Sequence, residues 1–183
     1  MLLFILLITI NIVYTSTISF SIPDIVNGSK RASLNGTWQL DRETSESLND
    51  VLDLMGIGWV KRRIITGLDM TEQYTITSTT FHFIRDTQRS HQNLTFLLNI
   101  EENVEDELLG EMKQIVTYNP GGKFNNIMDT GSLIIEIIQP FNATGWSLRK
   151  LLSNNPNRMI FITNYTSYDG SVTQTCVRYF NRK

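Results

Sequence analysis

The chain is 183 residues long, carries a formal charge of −2 and contains one cysteine, Cys176. So balanced a charge lacks the electrostatic footprint of a nucleic-acid binder, and no nucleic-acid partner is expected. A lone cysteine excludes an internal disulfide, so the fold must stand on its hydrophobic interior.

Leu2 to Val13 is almost wholly apolar, interrupted by Thr9 and Asn11. It is shorter than the roughly 20 residues that span a bilayer. Small polar residues follow, with Ser19 and Ser21 as cleavage positions, so residues 1–21 read as a secretory signal peptide. No Lys or Arg precedes the apolar run, and an N-terminal core strand is the alternative reading. Asn-x-Ser/Thr tripeptides at Asn27, Asn35, Asn93, Asn142 and Asn164 suit an exported, N-glycosylated surface, Asn35 least because it abuts the first strand. The expected localisation is extracellular. Residues 22–33, with Pro23 and Asn27-Gly28, read as an N-terminal arm, and residues 34–183 as one domain.

Thr37 to Leu40 is the first strand. Ser45 makes an N-cap with Glu46 in the first turn, and Leu48, Val51, Leu52 and Met55 recur as the buried stripe of a helix. Gly56 stands where a left-handed C-terminal cap belongs. Trp59 to Ile65 predicts a second, shorter helix carrying Lys61, Arg62 and Arg63. The period then changes. Gln73–Thr77, Thr80–Ile84, Leu94–Ile100, Glu111–Tyr118, Leu133–Gln139, Arg158–Thr163 and Val172–Phe180 read as strands, with Asn119-Pro120-Gly121-Gly122 and Asp169-Gly170 as turns. Many short strands predict a mainly β fold, a barrel or a sandwich, and the two helices directly after the first strand suggest a barrel closed by a helical lid. Gly145 to Leu152 reads as an insertion whose Leu148, Leu151 and Leu152 fall at helical spacing, packed on the barrel or facing a membrane or partner. The acidic run Glu101 to Glu107 reads as a solvated connection.

The segment Asn35-Gly36-Thr37-Trp38-Gln39-Leu40, followed by a helix and then Met55-Gly56-Ile57-Gly58-Trp59-Val60-Lys61-Arg62-Arg63, resembles the fatty-acid-binding protein family, in the form of its secreted nematode branch. Glu111–Thr117 resembles a middle strand, and Cys176-Val177-Arg178-Tyr179-Phe180 the final one. The resemblance implies a ten-stranded antiparallel up-and-down barrel with two helices over its mouth, holding a fatty acid or similar ligand such as a retinoid. It implies that Leu48 and Leu52 face the ligand, that Ile57 and Lys61 flank the portal, and that Arg178 binds the carboxylate, with Cys176 and Phe180 on the same cavity-facing side. Two departures stand out. Phe180 replaces the family's tyrosine, and the second cavity arginine, expected near Ile137, is missing from that stretch.

Strand alternation puts Cys176, Arg178 and Phe180 on one face, either inward or outward. Inward, a dry guanidinium costs several kcal/mol unless water or an anion compensates it. Each buried methylene of a ligand tail yields about 0.8 kcal/mol, so the tail should supply most of the affinity. Lys61, Arg62 and Arg63 form either a solvated face or a transient contact with anionic membranes.

Catalysis is not expected: His82 and His91 are far apart, there is no ligand-spaced metal cluster, and neither a nucleophile elbow nor a phosphate-cradling loop exists. No cofactor or metal is implied, and a monomer is the expectation. Two rivals remain. Gly36-Thr37-Trp38 also satisfies the short lipocalin signature, and Phe81, Phe83, Phe96 and Phe161 could fill the cavity of a pure interaction protein.

Overall fold

A computed structural model describes residues 33–119, 123–124, 127–128, 131–139 and 141–183. The signal-peptide, arm and Asn27 expectations lie outside the described residues. The elements are β1 (Gly36–Asp41), α1 (Asn49–Leu54), α2 (Trp59–Gly67), β2 (Met70–Ile76), β3 (Thr80–Thr87), β4 (His91–Leu97), β5 (Glu101–Asp106), β6 (Gly110–Asn119), β7 (Lys123–Phe124), β8 (Ile127–Met128), β9 (Ser132–Gln139), β10 (Ala143–Leu152), β11 (Asn155–Ser167) and β12 (Thr173–Arg182). Ten of the strands form one antiparallel sheet in the order β4-β3-β2-β1-β12-β11-β10-β9-β6-β5, while among the described residues β7 and β8 pair only with each other. The sheet curls into a nearly closed barrel, as expected, with β4 and β5 as its unpaired edges.

Alternation sets what the barrel encloses. Met70, Glu72 and Tyr74 of β2 are buried, as are Ser147, Arg149 and Leu151 of β10 and Cys176, Arg178 and Phe180 of β12. At the end remote from the helices the interior is solid: Leu34, Trp38, Tyr74, Phe81, Phe83, Phe96 and Phe180 pack with Leu133, Leu151 and Met159. Arg182 caps this end by lying 4.2 Å over the Trp38 ring and donating to the Asn35 and Ser33 carbonyls. At the other end Val51, Leu52, Met55, Ile57 and Ile65 of the helical segment meet Met112, Phe141, Tyr165 and Cys176.

Three sequence expectations are corrected. Ser45 does not cap α1, whose N-cap is Leu48 with no side-chain bond. Instead Ser45 Oγ accepts from the Tyr179 amide at 2.8 Å, and Glu46 accepts from the Val177 amide at 2.7 Å. These two residues satisfy β12 just where β1 leaves it, a stronger need than capping a short exposed helix. Gly145–Leu152 is no helical insertion: it is most of β10, paired along both edges to β9 and β11. The acidic run is the edge strand β5, whose Asp106 is buried. Gly56, with φ +82°, does terminate the helix as a left-handed residue.

The edge gap between β4 and β5 is bridged by side chains. Arg85 Nη2 of β3 binds Asp106 Oδ2 at 2.6 Å and the Gln92 side-chain oxygen, and Gln92 Nε2 donates to the Glu105 carbonyl at 3.2 Å. Asp106 Oδ1 also accepts from the amides of Leu108 and Leu109. Every oxygen of this buried carboxylate is thereby used.

Candidate functional site

Between the two hydrophobic clusters lies a cavity of about 140 Å³, walled by α1, α2 and by β2, β3, β4, β5, β6, β9, β10, β11 and β12. Its upper wall is Leu48, Val51, Leu52 and Met55, and Phe81, Phe83, Phe96 and Phe161 line it deeper in the barrel. The aromatic residues narrow it below the about 300–1,000 Å³ of ordinary ligand pockets without closing it.

The lining includes five charged side chains: Glu72, Arg85, Asp106, Arg149 and Arg178. Arg85 is spent on Asp106. Arg149 Nε donates to the Tyr74 hydroxyl at 2.8 Å, its Nη1 donates to Ser147 Oγ at 3.2 Å, and Glu72 Oε2 lies 3.7 Å from Nε. The Tyr74 hydroxyl in turn donates to Glu72. Burial opposes the Arg149 charge, but Tyr74 and Glu72 outweigh it and its pKa is raised; burial also pushes the Tyr74 phenol well above its ordinary range. Arg149, Tyr74 and Glu72 thus form a closed relay of a cation, a neutral hydroxyl and a carboxylate.

Arg178 is different. Its side chain is 6 % exposed, its Nε is buried with no partner, and among the described residues it makes no hydrogen bond or ion pair. Burial lowers its pKa, partly restored by the field of Glu72. Thr163 Oγ1, one diagonal step away on β11, is also buried without a partner. Phe161 stands in register between the two arginines, opposite Arg149 on one side and Arg178 on the other, with the Arg149 guanidinium 4.3 Å over its ring. Three guanidinium groups therefore share the cavity with two carboxylates, and the surplus positive charge is Arg178.

Of the residues singled out in the sequence, Leu48, Leu52 and Arg178 line this cavity. Cys176 and Phe180 face inward with Arg178 but are packed into the wall, Phe180 against the Phe161 ring at 6.2 Å. Burial raises the Cys176 thiol to about 11. Ile57 is buried beneath the helix junction and Lys61 is exposed on α2. A second buried arginine does line the cavity, Arg149 of β10, the strand beside Ile137, where Gly145 faces it. Glu72 escaped the sequence reading altogether. Its signal was the alternation Met70, Glu72, Tyr74, which places a carboxylate on the inward face of β2.

Among the glycosylation candidates, Asn93 and Asn142 are exposed and Asn164 is half-buried, bonded to Thr175 Oγ1. Asn35 uses its amide on the backbone of Ile76. Among the described residues no cluster of three or more His, Cys, Asp and Glu side chains could hold a metal ion.

Comparison with solved structures decides the architecture. The fatty acid binding protein of Schistosoma mansoni, solved with arachidonic acid, superposes with a TM-score of 0.63 at 19% identity, covering 85% of this chain and 99% of that one. Fatty-acid-binding protein 1 of Echinococcus granulosus gives 0.64 at 13% identity, covering 81% and 96%. Lipid binding protein 8 of Caenorhabditis elegans gives 0.61 at 19%, covering 81% and 94%. The fold is that of the fatty-acid-binding proteins. No protein-family model matches the chain, and a search of the curated proteins returns no match.

Proposed function

We propose that the chain is a member of the fatty-acid-binding protein family, a secreted monomeric carrier that holds a long-chain fatty acid, or a ligand of similar shape, in the barrel. The observation that carries this reading is Arg178: a buried guanidinium with no counter-ion, facing an apolar cavity. A ligand carboxylate supplies the missing charge, and its two oxygens match the planar fork of a guanidinium. Leu48 and Leu52 of the lid and the phenylalanines of β3, β4 and β11 would contact the acyl chain, and Ile57 and Lys61 would flank its entry. Non-enzymatic binding fits a site whose charged groups are either paired or waiting for an anion.

Export is supported by the apolar run Leu2 to Val13 and by the exposed glycosylation tripeptides at Asn93 and Asn142. Transient membrane contact is supported by α2, where Trp59 and Val60 are each 63% exposed beside Lys61 and Arg63.

A second reading, an interaction protein with an unused barrel, is favoured by the small volume of the cavity and its four phenylalanines. Native mass spectrometry of protein from its producing cells separates the two. A co-purifying lipid displaced by added palmitate supports the carrier. Empty protein that takes up no fluorescent fatty acid supports the alternative.

A further inference from the structure

We propose that Glu72 sets the charge of the head group the cavity accepts, admitting a single negative charge and rejecting a doubly charged one. This rests on the lipid-binding reading and adds to it a residue that chooses among lipids. The starting point is the charge arrangement in the cavity. Arg149 and Arg178 occupy the register positions on either side of Phe161, both line the cavity, and the charge of Arg149 acts on Arg178. Such a pair of cations would suit a phosphate monoester, a dianion at neutral pH, as well as a carboxylate.

Glu72 removes that option. It is 2 % exposed, lies 3.7 Å from Arg149, accepts from Tyr74 and acts electrostatically on Arg178 as well. One of the two guanidinium charges is thereby cancelled from within the protein. Other charged groups do not alter the balance: Arg85, which faces Glu72 across β2 and β3, is held by Asp106. Arg42 also acts on Arg178 but is exposed and paired with Asp69. The remaining titratable groups facing the two arginines are Tyr74, Tyr165 and Cys176, which burial raises above their ordinary range, so all three stay neutral. A monoanion meets one open positive charge. The second charge of a phosphate would face the Glu72 carboxylate in a site with little water to screen it.

The test uses the full protein and three probes with one tail: dodecanoate, dodecyl sulfonate, which is a monoanion throughout, and dodecyl phosphate, which gains its second charge near pH 6. With the wild-type protein, binding of the phosphate relative to the sulfonate should weaken at least about tenfold between pH 5 and pH 8, a change the constant-charge sulfonate cancels for any protein group. In Glu72→Gln the trend should reverse, with the phosphate gaining on the sulfonate as pH rises. In Glu72→Gln/Arg149→Gln, which restores one net positive charge, the wild-type trend should return. A merely structural role for Glu72 would weaken all three probes in proportion.

A phosphate-to-sulfonate ratio independent of pH in the wild type, or unchanged by Glu72→Gln, overturns the proposal while leaving the carrier reading intact. A pH-independent wild-type ratio overturns it even if the variants do not fold. Failure of the wild type to bind any of the three probes overturns the carrier reading itself, and this proposal with it.

Discussion

Arg149 and Arg178, two of the three arginines lining the cavity, share a residue type, a burial and a cross-strand neighbour, yet they sit in opposite circumstances. On the β10 side Arg149 is enclosed by Tyr74, Ser147 and Glu72, all contributed by the protein. On the β12 side Arg178 feels the field of Glu72 but has no hydrogen bond or ion pair among the described residues, and Thr163, diagonal to it on β11, is itself unpaired. The difference teaches how to tell structure from site. A buried charge with its full set of partners holds strands together, whereas one left open needs something from outside the chain.

The sharpest way to break the comparison is on the paired side. Arg149→Met leaves Glu72 buried without its cation and should cost about 3–5 kcal/mol of stability, read from urea unfolding. Arg178→Leu removes a charge that has no partner to strand. It should leave the urea midpoint of the ligand-free protein unchanged or raised, while weakening fatty-acid binding by about 2–5 kcal/mol and the matching alcohol far less. Equal losses for acid and alcohol in a displacement titration would contradict the role given to Arg178.

Smaller effects sharpen the picture of the walls. Phe81→Leu should cost about 1 kcal/mol of stability and shift the preferred acyl chain to greater length, because the aromatic wall limits the cavity. Chain-length profiles that coincide for both proteins would show that the phenylalanines do not set the reach. The least effect belongs to Asp169 in the β11–β12 turn, where hydrogen bonds from Ser167 and Ser171 hold its carboxyl down to about 2. A depressed folded value means stability present above the unfolded value of about 3.9 and lost as pH falls toward 2. Carboxyl NMR titration checks it, and an ordinary value near 4 would remove the turn from the acid response.

Much of this molecule was legible in local pattern. Gly56 marked the helix end, and strict alternation aligned Cys176, Arg178 and Phe180 on one face, which the barrel turns inward. What stayed hidden was hidden by ambiguity of period. On β10 both faces are apolar, since Leu148 lies in register with Ile134 and Ile162 on the outer side while Leu151 faces in. Leucines at 148, 151 and 152 therefore imitate a helix, and the arginine between them drew no assignment. Edge strand β5 was masked the same way: its outward glutamates read as solvated chain, which is how an edge avoids pairing with strangers. Glu72 and Tyr74 find Arg149 only through the closure of the barrel, a relation between residues 75 apart that no window along the chain contains.

The most direct measurement is the carboxyl carbon NMR signal of a fatty acid labelled at C1, followed against pH while bound. Beside the open Arg178 guanidinium the bound carboxyl should stay ionised well below its ordinary range, and in Arg178→Leu it should titrate normally. A bound carboxyl that titrates in the usual range in the wild-type protein would place the head group elsewhere and contradict the assignment.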